Sequence, residues 1–280
     1  MRNLNLIDET FDEHFTDMYH IAIESDLKTL TYCLLDTRVN KYVMLKNFEI
    51  GDYAAPILLE KIEAIIEKEE LFSKKFKSAS FTFKSPKNTL VPSEFFKKDQ
   101  VKTLYEFQNF IDELDELHFY NIEKLNATLI YTIPSRIAEI LKRRIPKMTF
   151  LHENIVLLND FLKMGKDADI CLSFTAEYFN VAIVSNGQVQ LFNSFAYKAA
   201  TDVIFFLLGV AGQKGLKPDT LRISVFGSIE KNSELAGQIK NFFRNIRYEK
   251  ATSEFEYSYK LKEVDSHIYA NLFNSYTCVS

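Results

Sequence analysis

The amino-acid sequence predicts an α/β protein built from two similar halves. Two observations lead to this prediction. Short apolar runs typical of strands alternate with longer segments whose apolar residues recur at helical spacing. The same order of elements, written βββαβαβ, occurs twice, with corresponding strands about 150 residues apart. That distance is too long for a solenoid repeat and indicates duplication of one larger unit.

Composition narrows the classes of protein that fit this chain. Hydrophobic residues make up 47% and charged residues 26%, which is the balance of a globular chain with a sizeable core. The net charge of −4 argues against a nucleic-acid partner. The longest apolar run, residues 203–211, is about half of the roughly 20 residues that a membrane span needs. The polar N-terminal segment has no apolar signal region, so we expect a cytoplasmic location without a membrane span.

The first half begins with three strand-like runs and continues with a helix. An amphipathic helix follows the strands, with Leu58, Ile62 and Ile66 on one face and Pro56 in its first turn. A second helix is expected to stop before Pro146. The predicted strands are residues 19–24, 27–35, 41–50, 78–83 and 127–133, and the second helix is 135–144.

The second half repeats this order. Asn186-Gly187 predicts a tight hairpin between its second and third strands. The predicted strands are residues 169–174, 178–184, 188–195, 221–226 and 246–249, with an almost wholly apolar helix at 199–211 and an amphipathic helix around Leu235, Ile239, Phe242 and Phe243. We expect a closing strand at 255–261, where aromatic residues alternate, and a closing helix at 265–276.

The polar stretch at residues 163–167 indicates the boundary between the halves. The predicted domains are therefore residues 1–163 and 164–280. The first half also holds an extra segment near residues 86–125, which the pattern predicts to be helical around 101–114. Three cysteines without C-x-x-C spacing argue against a zinc site or a disulfide framework.

This duplicated order resembles the ribonuclease H-like fold in its actin-like ATPase form, over nearly the whole chain. More narrowly, the chain resembles a Bacteroidetes family of unknown function with that fold. The resemblance implies two lobes with an interlobe cleft, where relatives bind ATP and Mg²⁺. Relatives carry a D-x-G loop between the first two strands of each half, in which glycine lets backbone N–H groups approach phosphate.

Both of these loops depart from the D-x-G pattern. In the first half, Glu24 stands at the acidic position and Asp26 replaces the glycine. In the second half, Ser173 stands at the acidic position and Thr175 replaces the glycine. The residue that permits close backbone approach is absent from both loops. A two-metal nuclease is also disfavoured, because the strand at 78–83 contains no acid and is followed by Lys84.

A third glycine signature of the family is only half present, as Gly227-Ser228 at the end of a strand. The resemblance implies that an adenosine could pack against Gly227. The alternative is an ordinary strand-to-helix turn with Ser228 as the helix N-cap.

Taken together, the sequence predicts a non-catalytic interaction or scaffold module with an unidentified protein partner, with no catalytic residue, no metal ligand and no resident cofactor. The alternative is a nucleotide-binding ATPase or kinase-like member that holds ATP and Mg²⁺ through altered loops. Its binding residues would be Glu24, Ser25, Asp26, Lys28, Ser173, Thr175, Gly227 and Ser228.

Two surface features suggest partners but do not identify them. Phe107 and Phe110 would share a helix face and present aromatic anchors, unless they pack locally. The basic cluster Lys142-Arg143-Arg144 either complements a helix C-terminus or meets an anionic partner.

Overall fold

Two β-sheets with the same strand order dominate the structure. The computed structural model describes residues 3–164, 169–185 and 188–279. The chain divides into two units: unit 1 comprises residues 1–155, 252–264 and 272–280, and unit 2 comprises residues 156–251 and 265–271. The predicted division of the repeat after residue 163 remains a prediction.

The elements of the chain up to the start of unit 2 alternate between strands and helices. In order they are β1 (Leu4–Ile7), β2 (Tyr19–Ser25), β3 (Thr29–Asp36), β4 (Lys41–Glu49), α1 (Ala55–Lys68), β5 (Ser78–Phe83), β6 (Asn88–Pro92), α2 (Val101–Glu106), β7 (Asp115–Ile122), β8 (Ala127–Pro134), α3 (Ser135–Arg144), β9 (Met148–His152) and α4 (Glu153–Met164).

The later elements repeat the strand meander and end in short pieces. In order they are β10 (Ile170–Phe174), β11 (Tyr178–Ser185), β12 (Gln188–Ala196), α5 (Ala200–Gln213), β13 (Arg222–Gly227), α6 (Glu234–Phe242), β14 (Asn245–Tyr248), β15 (Glu256–Tyr257) and α7 (Ala270–Asn274). No helix among these described residues is both long and apolar enough to cross a membrane.

The strand order confirms the predicted duplication. The sheet of unit 1 contains the order β4-β3-β2-β5-β9, and the sheet of unit 2 has the order β12-β11-β10-β13-β14. In both sheets the first three strands are antiparallel, and the last two join them in parallel. In unit 1, β1 and β15 both pair with β4. This is the actin-like ATPase fold that the order of elements predicts.

The first helix of unit 1 forms as its pattern predicts. Leu58, Ile62 and Ile66 of α1 are buried. The guanidinium of Arg136, on α3, donates two hydrogen bonds of 2.7 Å to the carboxylate of Glu63 on α1. Apolar spacing and these paired charges therefore hold the two helices against each other.

The extra segment forms a small sheet with one short helix, α2, instead of the longer helix that its pattern predicts. Strands β6 and β7 pair with β8 on either side, so β8 leaves the main sheet and β9 takes the predicted place of that strand. The predicted helix at 101–114 is wrong beyond Glu106. The amide of Asn109 donates to Asn88 O at 3.2 Å and to Thr89 Oγ1 at 2.9 Å, which holds the following chain as a loop.

The end of the chain also differs from the prediction. The alternating aromatic residues form only β15, because Ser258 Oγ accepts the Lys260 N–H and begins a 3-10 turn. The closing helix is limited to α7 and is followed by another 3-10 turn. The predicted Asn186-Gly187 hairpin lies outside the described residues.

The predicted apolar helix of unit 2 is buried on one face only. Val203 and Leu207 of α5 lie fully in the core, whereas Phe205 is 72% exposed. Phe174, at the end of β10, is buried in the same core beside Phe179.

Candidate functional site

The turn between β2 and β3 satisfies its own backbone donors. Asp26 Oδ1 accepts the Lys28 N–H at 3.0 Å, the Thr29 N–H at 2.8 Å and the Thr29 hydroxyl at 2.9 Å. Ser25 Oγ accepts the Leu27 N–H at 3.2 Å and donates to Thr29 O at 2.7 Å. The backbone N–H groups of residues 27, 28 and 29 are therefore bound by side chains of the same turn.

The left-handed residue of this turn is Leu27, with φ of 72°. A non-glycine residue in this region costs roughly 1–2 kcal/mol. The resemblance to the actin-like ATPase fold implies a glycine at the position of Asp26, one residue earlier. The turn therefore keeps its bend without a glycine, and the three bonds accepted by Asp26 help to hold it.

A buried lysine faces the carboxylates at this end of unit 1. Lys84 Nζ lies 2.6 Å from Glu24 Oε1, and the two side chains are only 13% and 5% exposed. Burial by itself lowers the pKa of Lys84, but the charges of Glu24, Asp26 and Glu153 outweigh it and hold this pKa above its usual value. A permanent ammonium thus lies among three carboxylates.

Three members of this cluster, Glu24, Lys84 and Glu153, stand at or next to the end of an element. Glu24 is the penultimate residue of β2, Lys84 follows β5, and Glu153 begins α4 after β9. The parallel pairing of β2, β5 and β9 brings these three chain positions to the same edge of the sheet. Lys28 is directed elsewhere, because its Nζ pairs with Asp52 Oδ1 at 2.8 Å.

The turn between β10 and β11 is also satisfied by its own side chain. Thr175 Oγ1 donates to Tyr178 O at 2.8 Å and accepts the N–H groups of Tyr178 at 3.0 Å and Glu177 at 3.3 Å. The Thr175 carbonyl accepts the Tyr197 hydroxyl at 2.6 Å. Ser173 does not belong to this turn, since it is buried within β10.

Gly227, at the end of β13, is required by a close approach of two strands. Its φ is 81°, and a Cβ there would lie 2.2 Å from the carbonyl oxygen of Phe174. The Ser228 N–H donates to that same oxygen at 2.8 Å. Ser228 is not the helix N-cap, because α6 begins six residues later and its cap is Ser233. The glycine therefore has a structural reason that does not involve a ligand.

His267 covers the Gly227 turn from the last segment of unit 2. The Gly227 N–H donates to His267 O at 2.9 Å, and the imidazole Nε2 donates to Ile229 O at 2.7 Å. The ring packs edge-on against Tyr248, with centroids 5.0 Å apart. Burial lowers the pKa of His267, so the ring is neutral near pH 7.

The predicted site residues fall into two groups, one in each unit. Glu24, Ser25, Asp26 and Lys28 lie in or beside the β2–β3 turn. Ser173, Thr175, Gly227 and Ser228 lie at one end of the β10–β13 pair, where Phe174 is the register partner of Gly227. The sequence reasoning missed three contributors, namely Lys84, Glu153 and His267. The one sequence signal for Lys84 is a lysine directly after an apolar strand.

No group of three or more histidine, cysteine, aspartate or glutamate side chains within residues 3–164, 169–185 and 188–279 could hold a metal ion. In unit 1, the cation that the carboxylates of Glu24, Asp26 and Glu153 act on is the Lys84 ammonium. Whether any nucleotide binds at the predicted residues remains a prediction.

Comparison with known proteins bears on the fold. The chain is similar to a protein of unknown function with an actin-like ATPase fold from Bacteroides thetaiotaomicron VPI-5482, with a TM-score of 0.76, 16% identity, and coverage of 90% of this chain and 97% of that chain. It is also similar to a chain of the PilM–PilN type IV pilus biogenesis complex, with a TM-score of 0.58, 11% identity, and coverage of 93% and 98%.

No curated protein sequence matches this chain. The structural similarities, at these low identities, confirm the actin-like ATPase fold. A family model described as "Protein of unknown function (DUF3822)" matches residues 8–246, which is most of the chain. The chain therefore belongs to this family, as the resemblance to a family of unknown function with this fold predicts.

Proposed function

We propose that this protein is a non-catalytic interaction or scaffold module built on the actin-like ATPase fold. The observation that carries the proposal is the Asp26 carboxylate, which accepts three donors of the β2–β3 turn. In nucleotide-binding relatives, the resemblance implies, the corresponding N–H groups meet phosphate. Here an anion of the chain itself holds them.

A phosphate placed against this turn would face the Asp26 carboxylate. Two like unit charges about 4 Å apart repel by about 1 kcal/mol in water and by about 4 kcal/mol at the effective dielectric constant of a protein surface. The turn would also have to exchange three formed hydrogen bonds for new ones. The local chemistry therefore does not fit a phosphate bound as in the family.

The Lys84 ammonium supplies the positive charge that a magnesium ion would supply in a nucleotide site. The Lys84 ammonium faces Glu24 at 2.6 Å and is also influenced by Asp26 and Glu153. A magnesium ion at these carboxylates would have to displace a buried positive charge. The protein therefore supplies both charges at this turn itself, the negative charge from Asp26 and the positive charge from Lys84.

The second unit supports the same proposal. The Thr175 hydroxyl takes the N–H groups of its turn, and His267 covers the Gly227 turn at hydrogen-bond distance. Among the structural neighbours, PilM is known in a complex with PilN, which favours a protein partner for this chain as well.

A thermal-shift measurement with and without Mg-ATP tests the proposal. A ligand at about 100 times its Kd stabilises the folded state by about 2.7 kcal/mol, which raises the melting temperature by several degrees. We expect no rise for the natural sequence. Asp26→Gly and Asp26→Asn are measured as a matched pair. Glycine removes both the charge and the accepting oxygen, whereas asparagine removes the charge but keeps the oxygen that accepts the three bonds.

A rise with Mg-ATP in the natural sequence would overturn the proposal if Lys28→Ala or Thr175→Val abolished it. Such a result would favour the nucleotide-binding alternative. Gly227 is unsuitable for this purpose, because any side chain there would collide with Phe174 and disturb the fold itself.

A further inference from the structure

Residues 107–114, which join α2 to β7, expose large apolar side chains. We call this segment the aromatic loop. Phe107 and Phe110 are each 88% exposed, and Leu114 is 65% exposed. Burying one such side chain is worth about 1.5–3 kcal/mol, so a fold gains nothing by leaving three of them in water. Several exposed large apolar side chains within one short segment are typical of an interaction surface.

Local packing of the aromatic loop is already provided by another residue. Ile111 packs against a small core made by Val91, Val101 and Tyr105, and so closes the sheet of the extra segment. Phe107 and Phe110 take no part in that core. The small core of the extra segment is therefore complete without the burial of Phe107 and Phe110.

The backbone of the aromatic loop is held in place at both ends. The Asn109 amide bonds to Asn88 O and Thr89 Oγ1, and the Asn109 N–H donates to Tyr105 O at 3.0 Å. The Leu114 carbonyl accepts both the N–H and the hydroxyl of Ser135, at 2.8 and 2.7 Å. A surface that is ordered beforehand loses less conformational entropy when a partner binds.

The segment that contains the aromatic loop is acidic in sequence. Residues 103–123 contain no lysine or arginine, whereas the six acids are Glu106, Asp112, Glu113, Asp115, Glu116 and Glu123. The net charge of the whole chain is only −4, so this segment alone carries more negative charge than the whole chain. Three of these acids pair with lysines, namely Glu106 with Lys102, Asp112 with Lys87 and Glu116 with Lys142, and the Asp112 side chain is still 66% exposed.

We propose that the aromatic loop docks a cationic amphipathic helix of a partner protein. This inference rests on the proposed function as an interaction module and names the chemistry of its partner. Phe107 and Phe110 would insert into the apolar stripe of the partner helix as aromatic anchors. Asp112 and Glu113 would face its lysine and arginine side chains, which favours this partner over neutral or acidic ones.

A second copy of this chain fits the loop less well. The clustered cations of α3 are already engaged in the same unit, because Lys142 pairs with Glu116 at 2.8 Å and Arg143 pairs with Glu67 at 2.6 Å. Using them for another copy would break both of these pairs, whereas a partner helix brings its own cations and would have to displace only the exposed Lys87 from Asp112. The charge complementarity therefore points to a different protein.

The probe is a fluorescein-labelled 18-residue peptide of leucine and lysine, with leucine at positions i, i+3, i+4 and i+7. The matched control peptide carries glutamate in place of lysine. Fluorescence anisotropy with the full chain measures both. We expect the lysine peptide to bind at least tenfold more tightly than the glutamate peptide, and we expect its affinity to fall as salt rises.

Variants locate the binding to the aromatic loop. The double substitution Phe107→Ser with Phe110→Ser should weaken the lysine peptide at least tenfold without changing the melting temperature, since both rings are exposed. Asp112→Asn with Glu113→Gln should weaken it about three- to tenfold and flatten its salt dependence. The matched control is Phe205→Ser, which removes an exposed ring of α5 and should leave binding unchanged.

Three outcomes would overturn the inference: equal binding of the two peptides, equal binding by the phenylalanine variants, or a dimer in sedimentation that those variants abolish. The Mg-ATP measurement is independent of all three. If the peptide test fails and Mg-ATP has no effect, only the docking role of the aromatic loop is refuted. The non-catalytic proposal would still stand.

Discussion

Replacing Lys84 by methionine should strongly destabilise unit 1. The substitution keeps the apolar stem of the side chain and removes the ammonium that faces Glu24 at 2.6 Å. The Glu24 side chain is 5% exposed, so water cannot take over the role of the cation. Asp26 and Glu153 act on the same ammonium, and their mutual repulsion with Glu24 would no longer be offset.

The expected loss is about 3–5 kcal/mol in the free energy of unfolding, which is the usual cost of removing one partner of a buried ion pair. The double substitution Glu24→Gln with Lys84→Met should be about 1–3 kcal/mol more stable than Lys84→Met alone. It removes the negative charge together with the positive one, so the two substitutions are not additive.

Urea unfolding followed by far-ultraviolet circular dichroism measures these differences, since the chain has no tryptophan. The matched control is Lys231→Met, because Lys231 pairs with Asp265 at a similar 2.6 Å but is 46% exposed. That variant should lose less than about 1 kcal/mol. If Lys84→Met fell within about 1 kcal/mol of the natural sequence, or if the double variant were the less stable one, our account of the cluster would be wrong.

Three further predictions concern the turns and the buried histidines. Gly227→Ala should cost more than about 3 kcal/mol in urea unfolding, because its Cβ would meet the carbonyl oxygen of Phe174 at 2.2 Å in a left-handed conformation. Asp26→Ala should cost about 1–2 kcal/mol in the same assay, whereas Asp26→Asn, which keeps the acceptor, should cost less than half as much. Stability should also fall by about 3 kcal/mol between pH 7.5 and pH 5.5, because burial lowers the pKa of His20 and of His152 from 6.5 to about 3. The unfolded chain takes up protons below pH 6.5 and the folded chain does not, so this stability is complete above pH 6.5 and is lost as the pH falls.

Each of these predictions has a matched control. Gly209→Ala lies in α5, where a Cβ meets nothing within 4 Å, and it should stabilise the chain by about 1 kcal/mol. His14→Gln changes an exposed histidine and should leave the pH dependence unchanged. A Gly227→Ala variant as stable as Gly209→Ala, an Asp26→Asn variant as unstable as Asp26→Ala, or a flat profile between pH 7.5 and 5.5 would contradict the respective argument.

The order of the main elements could be predicted because its signals are local. The burial of Leu58, Ile62 and Ile66 follows from helical spacing within one segment. The β10–β11–β12 meander and α5 follow from the apolar runs of the second half. Where local spacing was the only guide to the extra segment, it failed. Phe107 and Phe110 fit a helix, but the contacts of Asn109 with β6 end it at Glu106.

The candidate site could be predicted only in part. The absence of glycine at residues 26 and 175 is visible in the sequence, since both turns follow recognisable strands. What these side chains do instead depends on hydrogen-bond geometry, which places Asp26 Oδ1 on three donors and moves the left-handed conformation to Leu27.

By itself, the sequence determined the duplicated α/β order and the absence of glycine at residues 26 and 175, because apolar periodicity and residue type are properties of short segments. Only the tertiary structure decided that Lys84 lies beside Glu24 and that His267 covers Gly227. Those contacts join residues far apart in the chain. They form because parallel strands end at a common edge and because the last segment returns to the turn after β13.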